Sequence, residues 1–136
     1  MAVRLNPYLN FRGTARDALE RYQQVFGGEL TVSTLGESGM EVAPGETDWL
    51  MHGQLETSDG FTLMAADVPT SMSLTEGSAH SVSLSGDDEA ALRGFWDGLL
   101  EGGTVTVPLE RAPWGDTFGM LVDRYGVAWL VNIAGS

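Results

Sequence analysis

From the N-terminus, Val3 to Phe11 alternates apolar and polar positions, with Leu5, Leu9 and Phe11 on one side and Tyr8 on the other, as a strand does. Pro7 within it points to a free edge or a bulge, since proline donates no ladder hydrogen bond. From Thr14, a candidate N-cap, apolar residues recur at Ala15, Ala18, Leu19, Tyr22, Val25 and Phe26. That spacing predicts an amphipathic helix, which Gly27 and Gly28 end. Glu29 to Leu35 reads as a strand, and Gly36 to Asp48 as a loop rich in glycine and acids. Trp49 to Thr57 and Phe61 to Asp67 form a hairpin closed by Ser58, Asp59 and Gly60, and Val68 to Gly77 reads as a linker. The order then starts again. His80 to Ser85 is a strand, and Asp87 and Asp88 place acids at the start of a helix buried through Ala91, Leu92, Phe95, Leu99 and Leu100. Thr104 to Leu109 is the next strand, and Glu110 to Asp116 a loop. A hairpin from Trp114 to Ile133, turning at Asp123 to Gly126, closes the chain.

The two runs are one pattern written twice. His52 to Asp67 superimposes on Phe118 to Ile133 at an offset of 66, placing Gly53 on Gly119, Leu55 on Leu121 and Gly60 on Gly126. The helical segments match at an offset of 73, with Gly13 on Gly86, Leu19 on Leu92 and Tyr22 on Phe95. The expected fold is therefore α+β, two tandem βαβββ repeats at about 3–67 and 78–134 joined by a linker at 68–77, within one domain over 1–136. The Gly-Gly pairs at 27 and 102 lie 75 apart, so the connection after the first pair is nine residues longer than its counterpart. An extension in one copy marks either a functional rim or partner contact, or a plain surface loop.

Charge and composition then narrow the chemistry. The chain has 136 residues, 43% apolar, with 19 acidic against 7 basic side chains and a formal charge of −12. Such a field repels phosphate backbones and anionic membranes, so neither nucleic acid nor membrane is expected as a partner. No cysteine is present, which closes disulfide, thiolate-metal and thiol-nucleophile chemistry. No leader-like or membrane-length apolar run is visible, and a cytoplasmic location is the expectation. Neither G-x-S-x-G nor H-E-x-x-H occurs, and the Gly-Gly pairs follow helices instead of opening them, so they cap and do not cradle phosphate.

The chain carries N-P-Y-L-N-F-R-G-T-A near the start, A-L-x-x-Y-x-x-V-F-G-G-E-L at Ala18 to Leu30, H-G-Q-L at His52, A-D-V-P at Ala66 to Pro69, F-W-D-G-L-L-E-G-G at Phe95 to Gly103, and the ending from Trp114 to Asn132. In these stretches it resembles the PhnB-like branch of the vicinal oxygen chelate superfamily, the glyoxalase, bleomycin-resistance and dioxygenase fold. The resemblance implies curved half-sheets around a central cup, helices on the convex side and a homodimer. Proteins of this branch sometimes carry the name of a ubiquinone methyltransferase, but nothing in the sequence looks like a methyl-donor site.

Alternation assigns the faces. Val127, Trp129, Val131, Phe61, Leu63, Ala65, Trp49, Met51 and Leu55 are the bulky set and are expected under the helices, with Leu9, Phe11, Val82 and Leu84. The opposite set, Tyr8, His52, Gln54, Glu56, Thr62, Met64, Ala66, Ser81, Ala128, Leu130 and Asn132, faces the cup. Metal-dependent members of the superfamily hold a divalent ion on His and Glu at four strand positions, which fall here on Tyr8, Met64, Ser81 and Leu130. These offer no convergent hard-cation donor set, so no cofactor is expected. A divalent metal held through His52, Glu56 and His80 stays open as the alternative. His52, Gln54 and Glu56 form a polar ladder with His52 as a possible general base, or are simply hydrogen-bonded and hydrated. His80 has a structural, solvent-exposed or metal-binding reading. Trp114 either closes over a flat ligand or packs on a dimer partner, and Trp49 and Trp96 are core or interface residues.

The leading expectation is a binding protein for a small organic ligand, contacted by Tyr8, His52, Gln54, Glu56, Met64, Ser81, Trp114, Phe118, Met120 and Leu130, and the acidic chain suits a cationic one. The alternatives are a metal-dependent lyase, isomerase or dioxygenase-like enzyme, and a non-catalytic partner-binding dimer.

Overall fold

A computed structural model describes residues 4–39, 41–74 and 80–135. The chain divides into two compact units, Met1–Thr75 and Glu76–Ser136, and the division falls inside the stretch read as the linker.

In the first unit β1 (Tyr8–Phe11), α1 (Ala15–Phe26), β2 (Glu29–Thr34), α2 (Leu35–Ser38), β3 (Leu50–Glu56) and β4 (Thr62–Asp67) follow in order. The strands form a sheet in the order β1-β4-β3-β2, with β1 parallel to β4 and the other pairs antiparallel. The second unit repeats this with β5 (Val82–Gly86), α3 (Glu89–Leu100), β6 (Thr104–Arg111), β7 (Thr117–Val122) and β8 (Ala128–Ile133), in the sheet order β5-β8-β7-β6. The α+β class and the duplicated βαβββ order expected from the sequence are what the chain adopts.

The helix stripes meet one face of each sheet. Ala15, Ala18, Leu19, Tyr22 and Phe26 of α1 are buried with Leu55, Leu63 and Ala65, and Leu92, Trp96 and Leu99 of α3 with Leu121, Trp129 and Val131. Each large apolar side chain so removed from water contributes about 2 kcal/mol. The paired glycines have a packing cause. A Cβ on Gly53 would overlap the Leu19 methyl, and one on Gly119 would lie 2.8 Å from the Trp96 ring and 2.8 Å from Leu109 Cα. Each helix therefore settles onto the strand at the one position without a side chain.

Several expectations need correction. The first strand begins at Tyr8, since residues 4–7 are outside it, 1–3 lie outside the described residues, and Leu5 is 97% exposed instead of packed under the helix. Pro7 sits where the sheet edge starts, its carbonyl accepting from Met64 N at 3.1 Å. Thr14 makes no side-chain capping bond. Asp67, from the end of β4, takes the N–H groups of Gly13 and Ala15 at 2.7 and 3.0 Å instead. Leu35 leaves the strand to open α2, capped by the reciprocal Thr34 and Glu37 bonds of a capping box, so the loop from Gly36 is partly helical. Met51 is 41% exposed because His52 pairs with Ser33 and Leu50 with Thr34, leaving Met51 as the extra residue of a bulge. Leu50, fully buried, takes its place in the core. In α3 the buried line runs through Leu92, Trp96 and Leu99, while Ala91, Phe95 and Leu100 are half-buried. Strand β6 runs on to Arg111, so the loop that follows starts at Ala112.

Candidate functional site

With Gly53, Leu55, Leu63 and Ala65 committed to the helix, the alternate residues of the first sheet face away from it. Register then brings Tyr8, Met64, Gln54 and Thr31 into one row across the four strands. His52 pairs with Ser33 one step along, and Glu56 pairs with Thr62 and Glu29 at the other side of the row. Tyr8 is 46% exposed, its neighbours His52, Gln54 and Met64 are half-buried, and Glu56 is exposed. Tyr8 reaches over β4, and its hydroxyl meets His52 Nδ1 at 3.2 Å, with the rings 5.7 Å apart and tilted 41°. With Nδ1 engaged, His52 Nε2 is the second hydrogen-bonding atom of the ring in either tautomer. The face thus offers an imidazole nitrogen, a carboxamide and a phenol around the thioether of Met64. Such a set can orient a molecule with one polar end and an apolar body.

The second unit presents a different face. Ser83, Leu130, Met120 and Val107 form one row, and Ser85, Asn132, Phe118 and Glu110 the next. Trp114, 63% exposed, sets its ring against Phe118 at 5.7 Å and 67°, edge to face. Asp116 accepts from Asn132 Nδ2 at 3.0 Å and from Gly135 N at 2.8 Å, and these two donors hold its carboxyl below the ordinary aspartate range.

Ser81 lies just ahead of β5 and is exposed, and Val82 pairs with Trp129, so the residue opposite Leu130 is Ser83. His80 is exposed one residue earlier. The positions where the resemblance places metal ligands therefore carry a phenol, a thioether, a hydroxyl and an alkyl group, which do not fit a hard divalent ion. Among the described residues no group of three or more His, Cys, Asp or Glu could hold a metal ion.

Three buried carboxylates escaped sequence reasoning. Asp67 also accepts from Leu50 N at 2.9 Å, fixing the bulge. Asp123 takes Tyr125 N, Val127 N and the Trp129 indole N–H at 2.8, 3.0 and 2.9 Å. Glu46 takes the Thr70 hydroxyl at 2.6 Å. The partners of Asp67 and Glu46 are far away in the chain, and only the Asp-x-x-x-Val-x-Trp spacing at Asp123 gave a local signal.

The family profile described as 3-demethylubiquinone-9 3-methyltransferase matches residues 3–132. This chain belongs to that PhnB-like family. Protein PA1353 from Pseudomonas aeruginosa is 34% identical over 99% of this chain and 100% of its own, with a TM-score of 0.84. A PhnB protein from Bacillus cereus is 26% identical over 97% and 100% of the two chains, with a TM-score of 0.77. The fold is shared more widely. A glyoxalase/bleomycin resistance protein/dioxygenase domain from Frankia is 12% identical over 98% of each chain, with a TM-score of 0.67. The chain thus shares its fold with that glyoxalase/bleomycin resistance protein/dioxygenase domain. Among the described residues no helix is long and apolar enough to cross a membrane.

Proposed function

We propose that this PhnB-like protein binds a small, partly apolar organic molecule on the open face of its first sheet. Tyr8, His52 and Gln54 orient the polar end, and Met64 lies under the apolar body. Leu130, Met120 and Phe118 offer a corresponding apolar surface on the second sheet. The observation that carries this reading is the Tyr8 to His52 contact at 3.2 Å beside half-buried Met64 and Gln54. It is a pre-formed polar and aromatic set on the face opposite the one that α1 packs on.

The test is a thermal-shift series on the full protein with four groups of additives. They are neutral phenols and quinones, organic cations, the ions Zn²⁺, Ni²⁺, Mn²⁺ and Fe²⁺, and S-adenosylmethionine. A compound that binds the native state raises its melting temperature. The reading expects an organic compound to raise it in the wild type and to do so less in Met64→Glu and His52→Ala. Stabilisation by a metal ion, lost in His52→Ala, would replace it with the metal-dependent enzyme. Stabilisation by S-adenosylmethionine alone would replace it with the methyl transfer of the family's description.

A further inference from the structure

The second unit carries a constellation that shares only Phe118 with that reading. Ala112 N donates to the Asp116 carbonyl at 2.7 Å and Gly115 N to the Ala112 carbonyl at 3.0 Å, so the connection between β6 and β7 is a tight loop with Trp114 at its tip. The contacts from there close on one another. Trp114 stands edge to face with Phe118, Phe118 pairs with Asn132 on one side and Glu110 on the other, and Asn132 donates to Asp116 in the loop. Two carboxylates and two aromatic rings are thereby gathered at one end of the open face. Arg111, one residue beyond Glu110, pairs with Thr117, which pairs in turn with buried Ile133, and so belongs to the other face.

We propose that Trp114, Phe118, Asp116 and Glu110 form a binding site for an organic ammonium ion. The chemistry is complementary in two ways. An exposed indole and a phenyl ring offer π faces to a bulky, weakly hydrated cation, a contact that sodium, with its tight hydration, makes poorly. The carboxylates supply the opposite charge. Asp116 is kept ionised by Asn132 and Gly135, and each of its oxygens has lone-pair capacity beyond the one bond it accepts. The overall charge of −12 adds long-range attraction for cations.

The probe pair is choline and its neutral carbon isostere dimethylbutanol, titrated into ¹⁵N-labelled full-length protein. The readouts are the indole N–H of Trp114 and the side-chain amide of Asn132. Choline is expected to move both signals saturably, with an affinity that falls as salt is raised. Trp114→Ala and Glu110→Gln should each weaken binding by about two- to fivefold, the range of an exposed cation–π or charge contact. Neither residue is buried, so both variants keep the fold, which the remaining amide signals verify in the same spectrum. Equal response to dimethylbutanol would overturn the proposal in favour of a plain apolar patch, as would choline binding unchanged in both variants.

Discussion

The two units share a strand order and a pattern of parallel and antiparallel pairs, yet each is tied together by a different buried carboxylate. In the first, Asp67 gathers N–H groups from Gly13, Ala15 and Leu50, residues 54, 52 and 17 positions away. In the second, the residue in the register of Asp67 is the buried Ile133, and the carboxylate sits in the closing turn, where Asp123 serves partners only two, four and six residues on. The difference follows the connections. The first unit must anchor a long excursion between β2 and β3 and a bulge at Met51, whereas β6 passes to β7 through the short Trp114 loop. A duplicated backbone thus keeps its apolar pattern and relocates its polar ties to wherever each copy needs one. The open faces diverge similarly, with Tyr8, His52 and Gln54 on one and Leu130, Met120 and Phe118 on the other.

This contrast predicts unequal losses. Asp67→Ala should cost about 4 kcal/mol, since three buried or part-buried N–H groups lose a charged acceptor at once. Asp123→Ala, which strands one buried indole N–H and loosens one turn, should cost about 2–3 kcal/mol. Urea denaturation measures both, and hydrogen exchange separates them. Asp67→Ala should expose amides on α1 and β3, and Asp123→Ala only those of the closing hairpin. If the two variants cost the same and fray the same amides, the long-range and local ties are not different in kind.

The glycine pair sharpens the comparison at a smaller scale. Gly119→Ala forces a methyl against the Leu109 backbone and the Trp96 ring, so about 2–3 kcal/mol is expected. Gly53→Ala meets the ends of the Leu19 and Leu50 side chains, which can shift, so about 1–2 kcal/mol should suffice. Pairing each with a smaller neighbour, Leu19→Val for Gly53 and Trp96→Phe for Gly119, should recover part of the Gly53 loss but little of the Gly119 loss. The Leu109 backbone cannot be trimmed. Equal recovery in both pairs would put the overlap in the side chains alone.

What could be read beforehand follows from the same distinction between local and distant causes. The repeat, the helix stripes and the placing of Tyr8, His52, Gln54, Glu56 and Met64 on one face are matters of period, and period is written in adjacent residues. Register is not. Ser81 and Ser83 have the same parity, and the helix offset of 73 selected Ser81, whereas β5 continues through Gly86 while β1 stops at Phe11, so the strands align at 75. The bulge at Met51 and the idle hydroxyl of Thr14 were hidden for one reason. Both are consequences of Asp67, whose partners are remote until the sheet has formed. The Tyr8 to His52 contact spans an intervening strand and is invisible to any pattern within one.

Replacing Tyr8 by Phe tests the polar face with little disturbance. The bond is exposed, so a loss below about 1 kcal/mol is expected. The ¹⁵N shift of His52 Nδ1 should nevertheless move, because its partner hydroxyl is gone. In the second unit the corresponding position carries Ser83, and Ser83→Ala should leave stability unaltered. An unmoved His52 nitrogen in Tyr8→Phe would mean that the two side chains do not hold each other in solution.

The smallest effect concerns Asp116 and acid. Its carboxylate receives Asn132 Nδ2 and Gly135 N, both of which favour the charged form, so its folded pKa lies below that of the unfolded chain, about 3.9. A depressed carboxylate contributes stability that is fully present above the unfolded value and is lost as pH falls through the folded one. The stability difference between the wild type and Asp116→Asn should therefore be constant at neutral pH and shrink once the pH drops below about 4. A difference that held steady through acid would mean that Asn132 and Gly135 bind the protonated acid as well as the carboxylate, and so do not depress its pKa.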